Sequence, residues 1–154
     1  MERIVTHREE DIIRNWLETT EDIFDRIVLA EQMQPIVDKF IDSFSYNGDI
    51  YRGINSSQLN LRDNIIDMPL ASYTHEVSLA REFRGWSEES MIVNVDARGA
   101  FNLTVFLEHL LMYHEFYDFT NQSMIEDRIV SETEVLYPFN KELIKTNLID
   151  EGVA

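Results

Sequence analysis

Ser131 to Pro138 reads SETEVLYP, and the fold turns on how this stretch is taken. Val135 and Tyr137 are strand formers, yet Glu132 and Glu134 stand one residue apart at the mouth of the run. Strands disfavour Glu, and like charges on one face repel. In an extended chain residues i and i+2 share a face, with Cα atoms about 6.5–7 Å apart. The spacing therefore predicts two carboxylates side by side, with Thr133, Val135 and Tyr137 opposite. Such a pair is useful where one group stabilises a developing cation and the other handles a proton, as in glycosidases at the anomeric carbon. It is equally at home as a solvated strand end, so by itself it names no function.

Working outward, the pattern predicts a final strand over Ile129–Tyr137, preceded by a long polar and aromatic loop from His114 to Arg128. Phe101–Tyr113 (FNLTVFLEHLLMY) fits either a helix or a strand followed by a helix, and Met91–Val95 reads as a strand. Thr74 can cap a helix running through Phe83, with Gly85 as a stop signal. Asp49–Ile54 is a short strand, and Ile65–Met68 is an apolar run ended by Pro69. Toward the N-terminus, Ile12, Ile13, Trp16, Leu17, Thr20, Ile23, Phe24 and Ile27 recur at helical spacing. A second helix is expected to open at Pro35 and to bury Ile36, Val37, Phe40, Ile41 and Phe44, with Asn47-Gly48 as the turn after it. The expectation is one α+β domain over residues 1–154, helical from about 8 to 46 and β-rich from about 49 to 138.

Bulk properties narrow the classes. A chain of 154 residues with 44% hydrophobic and 11% aromatic content can build a real core. There is no cysteine, so disulfides and thiolate zinc sites are excluded. The segment MERIVTHREEDII lacks the apolar centre of a signal peptide, and no apolar run is long enough to span a bilayer. The chain reads as soluble and cytoplasmic. Thirteen Lys and Arg against 29 Asp and Glu give a net charge of −16. That field disfavours nucleic acid and anionic membranes and favours basic partners, while also serving solubility.

Two further short motifs stand in the same half. Tyr51-Arg52-Gly53 puts an arginine fork on a strand, able to meet a phosphate or carboxylate, beside a glycine that admits close approach. Ser72-Tyr73-Thr74 brings two hydroxyls to one side of a strand end, ahead of a helix with Ala80 and Phe83 on one face. Each alone is weak. In this order, YRG, ASYTHEVSLAREF and SETEVLYP resemble the R-S-E class of arginine-specific mono-ADP-ribosyltransferases, and locally the small Mod-type enzymes of tailed phages. The resemblance covers residues 49–138. Ser-Tyr-Thr replaces the commoner Ser-Thr-Ser, but the first serine is kept.

The resemblance implies a split β-sheet core holding NAD as substrate, with helices packed around it. It implies that Arg52 binds the NAD phosphates and ribose, with Tyr51 and Thr74 alongside, and that Gly53 offers its backbone to the nicotinamide carboxamide. Ser72 would hold the catalytic glutamate, Phe83 would stack near nicotinamide, Glu134 would be catalytic and Glu132 would mark arginine as acceptor. Phe116, Tyr117 and Phe119 would be the aromatics of an acceptor-facing loop. The implied partner is a basic, arginine-bearing protein, in a host cytoplasm if the gene is a phage's, and no metal is required. A different class of reading is an inactive acidic protein that inhibits a basic host factor through its surface. Within the enzyme class, hydrolysis of NAD and modification of RNA stay open. His109 and His114 are five apart, not the four of a zinc-binding HExxH helix, and DARGAF (Asp96–Phe101) has too few glycines for a phosphate loop.

Overall fold

A computed structural model describes residues 3–18, 23–54, 68–84, 91–131, 133–140 and 148–151. Helix α1 (His7–Leu17) opens on a capping box. The Thr6 hydroxyl accepts the Glu9 N–H at 3.1 Å, and the Glu9 carboxylate accepts the Thr6 N–H at 2.8 Å. Two N–H groups that the helix leaves unbonded are thereby satisfied. The apolar repeat from Ile12 to Ile27 is divided between α1 and α2 (Ile23–Phe40). The expected helix start at Pro35 is corrected, because α2 runs straight through it. A mid-helix proline costs about 3 kcal/mol through a lost hydrogen bond and a clash. Here Pro35 and Glu31 both face solvent, so water can reach the backbone left unbonded, while Ala30, Met33, Ile36 and Val37 keep the opposite face buried.

Strand β1 (Ser45–Ile54) begins earlier than the pattern suggests and absorbs Asn47-Gly48. The reading of that dipeptide as a turn is corrected to a bulge. The register with β3 (Met91–Asn102) slips between Tyr46 and Gly48, Gly48 has φ +137°, and Asn47 Oδ1 accepts the Gly99 N–H at 2.8 Å. Glycine adopts that φ without the strain a Cβ would bring. On its other edge β1 meets β2 (Met68–Thr74), which pairs in turn with β4 (Glu134–Phe139), and β4 reaches the end of β3. Strands β1, β2, β4 and β3 thus close into a small antiparallel barrel, with β5 (Leu148–Glu151) added beside the start of β3. Ile50, Tyr73, Val93, Val95, Val135 and Phe139 pack together on its inner side. Where the resemblance implies a split sheet, the described strands show this closed barrel; the α+β class itself stands.

Three helices interrupt the strands, α3 (Val77–Arg84), α4 (Leu103–Tyr113) and α5 (Phe119–Ser131). The stretch Phe101–Tyr113 is a strand end followed by a helix, switched at Asn102, whose Oδ1 accepts the Val105 N–H at 3.3 Å. The loop expected over His114–Arg128 is corrected to a short linker and α5. Asp118 starts that helix by accepting the Thr120 N–H at 2.8 Å, bonds from Thr120 that also hold its carboxyl below the usual range. Asn121 and Ile125 are buried, and Met124 and Ile129 pack on the core; the polar neighbours hide this spacing in the sequence. The strand expected over Ile129–Tyr137 is corrected as well, since Ile129 to Ser131 finish α5 and β4 starts only at Glu134. The second core lies between barrel and helices, built on Ile13, Met33, Ile36, Phe101, Phe106 and Leu136. Among the described residues no helix is long and apolar enough to cross a membrane.

A buried carboxylate ties α1 to α5. Glu10 receives the His114 Nε2, the Tyr117 N–H at 3.1 and 3.0 Å on its two oxygens, and Asn121 Nδ2 at 3.3 Å. His114 Nδ1 accepts the Ile4 N–H at 3.0 Å, so Nε2 is the nitrogen that carries hydrogen toward Glu10. Removing one partner of such a cluster leaves the others buried and unsatisfied. Glu10→Ala is expected to lower stability by about 3–5 kcal/mol in urea unfolding. A loss below about 1 kcal/mol, the worth of an ordinary single hydrogen bond, would show that the cluster does not hold these elements together.

Candidate active site

Because β2 lies between β1 and β4, the fold sets the three motifs side by side. Tyr51 pairs with Thr74, Thr74 with Glu134, and Ser72 with Leu136. Strand pleating then sorts their side chains. Tyr51, Ser72, Thr74 and Glu134 share one face, on which Ser72 and Glu134 meet residues of α1 and α2, whereas Arg52 stands with Tyr73 and Val135 on the barrel side.

On the helical face is a cavity of about 50 Å³ lined by Trp16, Glu18, Arg26, Leu29, Ser72, Arg128 and Glu134. Glu134 is only 4% exposed. Its backbone N–H donates to Thr104 Oγ1 at 2.7 Å, fixing the first residue of β4 to the first turn of α4. The Trp16 indole N–H donates to its Oε2 at 2.9 Å. Its Oε1 is buried with no hydrogen-bond donor among the described residues, and Arg128 Nη2 stands 3.8 Å away as an ion-pair partner. Burying an ionised carboxylate costs several kcal/mol unless its lone pairs are met. A buried acceptor without a donor, on a residue that lines a cavity, can be met by water or by a ligand's O–H or N–H.

Arg52 is placed differently from Ser72 and Glu134. Its Nη1 donates to the Ser72 carbonyl at 2.8 Å, and its guanidinium lies over the Phe139 ring, 5.4 Å from the centroid. Burial pushes its pKa below the ordinary arginine value; Tyr73 opposes this, Arg26 adds to it and Glu134 opposes it. Arg52 thus braces β2 from behind, and the cations in the cavity wall are Arg26 and Arg128. Thr74 is buried, its hydroxyl engaged by the Glu76 N–H at 3.1 Å and by Thr133 Oγ1 at 2.6 Å. It closes a turn ahead of α3 and ties β2 to the start of β4. Phe83 belongs to α3, but its side chain, like the whole of Glu132, lies outside the described residues. Of the acceptor-loop aromatics, Phe116 packs edge-on against His114, Tyr117 sits under Arg3, and Phe119 is exposed at the start of α5.

Sequence reasoning missed Trp16, Arg26, Leu29 and Arg128. Trp16 reads there as one apolar residue of a helical repeat. The only hint is chemical, since a buried indole N–H needs an acceptor. Arg26 and Arg128 carry no signal that separates them from surface arginines. Among the described residues no group of three His, Asp or Glu side chains comes together to hold a metal ion. The chain matches no known protein family, no curated protein and no solved structure.

Tyr73 offers a check on this geometry. Its hydroxyl donates to the Pro138 carbonyl at 3.1 Å, and burial pushes its pKa well above the ordinary 10.0, against the pull of Arg52 and with Tyr137 adding to the rise. Above pH 10.0 the unfolded chain releases this proton while the folded protein keeps it. Its contribution is therefore complete at lower pH and is lost as pH rises. Unfolding free energies taken from about pH 9 to pH 11 should fall more steeply for the wild type than for Tyr73→Phe. Equal slopes would mean that the phenol is not buried as described.

Proposed function

We propose that this protein is a NAD-dependent mono-ADP-ribosyltransferase that moves ADP-ribose from NAD to arginine side chains of a target protein and releases nicotinamide. The observation that carries the reading is the Glu134 carboxylate, buried at the edge of a cavity with one oxygen held by Trp16 and the other without a hydrogen-bond donor among the described residues. Ser72 on the same face, and the resemblance of YRG, SYT and ETE to the R-S-E motifs, support it.

The chemistry suits the residues. Breaking the bond between nicotinamide nitrogen and ribose C1′ sends the electron pair to the pyridinium ring and leaves an oxocarbenium-like ribose. Glu134 Oε1, accepting a hydrogen bond from the ribose 2′-hydroxyl, stabilises that cation more in the transition state than in the ground state. An acceptor guanidinium nitrogen then bonds to C1′. Arginine has a pKa above about 12 and attacks poorly while protonated. Glu132, two residues before Glu134, would bind the guanidinium and take its proton. The net charge of −16 favours encounter with a basic target.

Glu134→Gln should reduce label transfer from NAD to an arginine-rich protein by about a hundredfold or more, with an unchanged circular dichroism spectrum. Wild-type-like transfer by a folded Glu134→Gln protein would contradict the site; target binding without any labelling would point to the inert acidic protein instead. Glu132→Gln should lose arginine labelling much more than it loses NAD hydrolysis. Equal losses of both would remove Glu132 from the acceptor side.

A further inference from the structure

We infer that Trp16 is the positioning residue of the catalytic carboxylate: its indole N–H fixes Glu134 Oε2 and so sets the orientation of the carboxylate at the cavity wall. The inference rests on the transferase reading above and adds to it a residue that the R-S-E motifs do not contain. Three observations carry it. The Nε1–Oε2 distance is 2.9 Å, and Oε1 has no hydrogen-bond donor among the described residues. The indole ring is itself immobilised, since Trp16 packs against the cluster built on Ile13, Leu17, Met33 and Phe106. The backbone of Glu134 is pinned separately by Thr104, so what Trp16 adds is the orientation of the carboxylate plane.

An indole suits this work better than a hydroxyl does. It carries one donor and no acceptor, and the donor direction is set by a rigid ring. A serine hydroxyl rotates and can turn toward water or another acceptor. Trp16 comes from α1, whose Glu9–Lys39 contact at 3.2 Å and Glu10 cluster hold that helix against α2 and α5. The N-terminal helix is thereby part of the catalytic geometry and not a cover alone.

The test removes the N–H while keeping the ring. Trp86→Phe leaves Trp16 as the sole tryptophan, and growth with benzothienylalanine then replaces the indole by an isostere without the donor. NAD consumption, KM for NAD and thermal unfolding are compared with the same protein carrying tryptophan. The expected result is a fall in kcat of about tenfold to a hundredfold, with KM changed less than about threefold and the unfolding temperature kept. Retained kcat, or a loss seen only as raised KM or lowered unfolding temperature, would reduce Trp16 to a packing residue and overturn the inference. Trp16→Phe, which also lacks the donor, should repeat the kcat loss. A wild-type protein that leaves NAD intact would overturn the transferase reading first, a failure visible before any substitution is made.

Discussion

A carboxylate under a helix is the constraint from which the rest of this structure follows. Glu134 begins β4 with its side chain turned toward α1 and α2, where water is largely excluded. Such a group must be met by donors or it destabilises the fold by several kcal/mol. One oxygen is met by Trp16, an arginine stands 3.8 Å from the other, and the backbone is locked to Thr104. The remaining acceptor is unsatisfied. Local rules of this kind are broken mostly at functional or strained sites.

The supports of that carboxylate are long-range. Thr74 ties β2 to the residue before Glu134, and Arg52 braces the Ser72 carbonyl from inside the barrel. On the helical side, the Glu10 cluster locks α1 to the linker before α5 and to Asn121 within it. Since α1 carries Trp16 and α5 carries Arg128, two of the elements that face Glu134 are held by one buried polar network. Loosening Glu10 would therefore disturb the cavity from two directions, although Glu10 is not among its lining residues.

How much of this the sequence discloses depends on the scale of the interaction. The strands around Tyr51 and Val93 are legible because β-branched and aromatic residues cluster there, and the α+β class follows. Asn47-Gly48 misleads, because the same φ preference that makes a turn also makes a bulge, and only the pairing with β3 decides. The helix α5 is hidden by four polar residues, Thr120 to Ser123, among which Asn121 is buried through its bond to Glu10 and not through apolar packing, so that only Ile125 and Ile129 mark the core-facing side. Pro35 misleads because a proline that normally opens a helix can lie inside one on a hydrated face. At the site, Ser72 and Glu134 are legible through their motifs. Trp16 and Arg26 are not, because they approach from helices far away in the chain, and Arg128, in the helix just before β4, bears no local signature. The placement of Arg52 on the barrel face follows from register, which a motif does not carry.

The most direct test of the account is a crystal structure of the protein with bound NAD. The account predicts the nicotinamide ribose at the cavity between Trp16, Ser72 and Glu134, with its 2′-hydroxyl within about 3 Å of Glu134 Oε1 and the Trp16 bond to Oε2 preserved. NAD bound away from this cavity, or a ribose that leaves Oε1 without a donor, would contradict it.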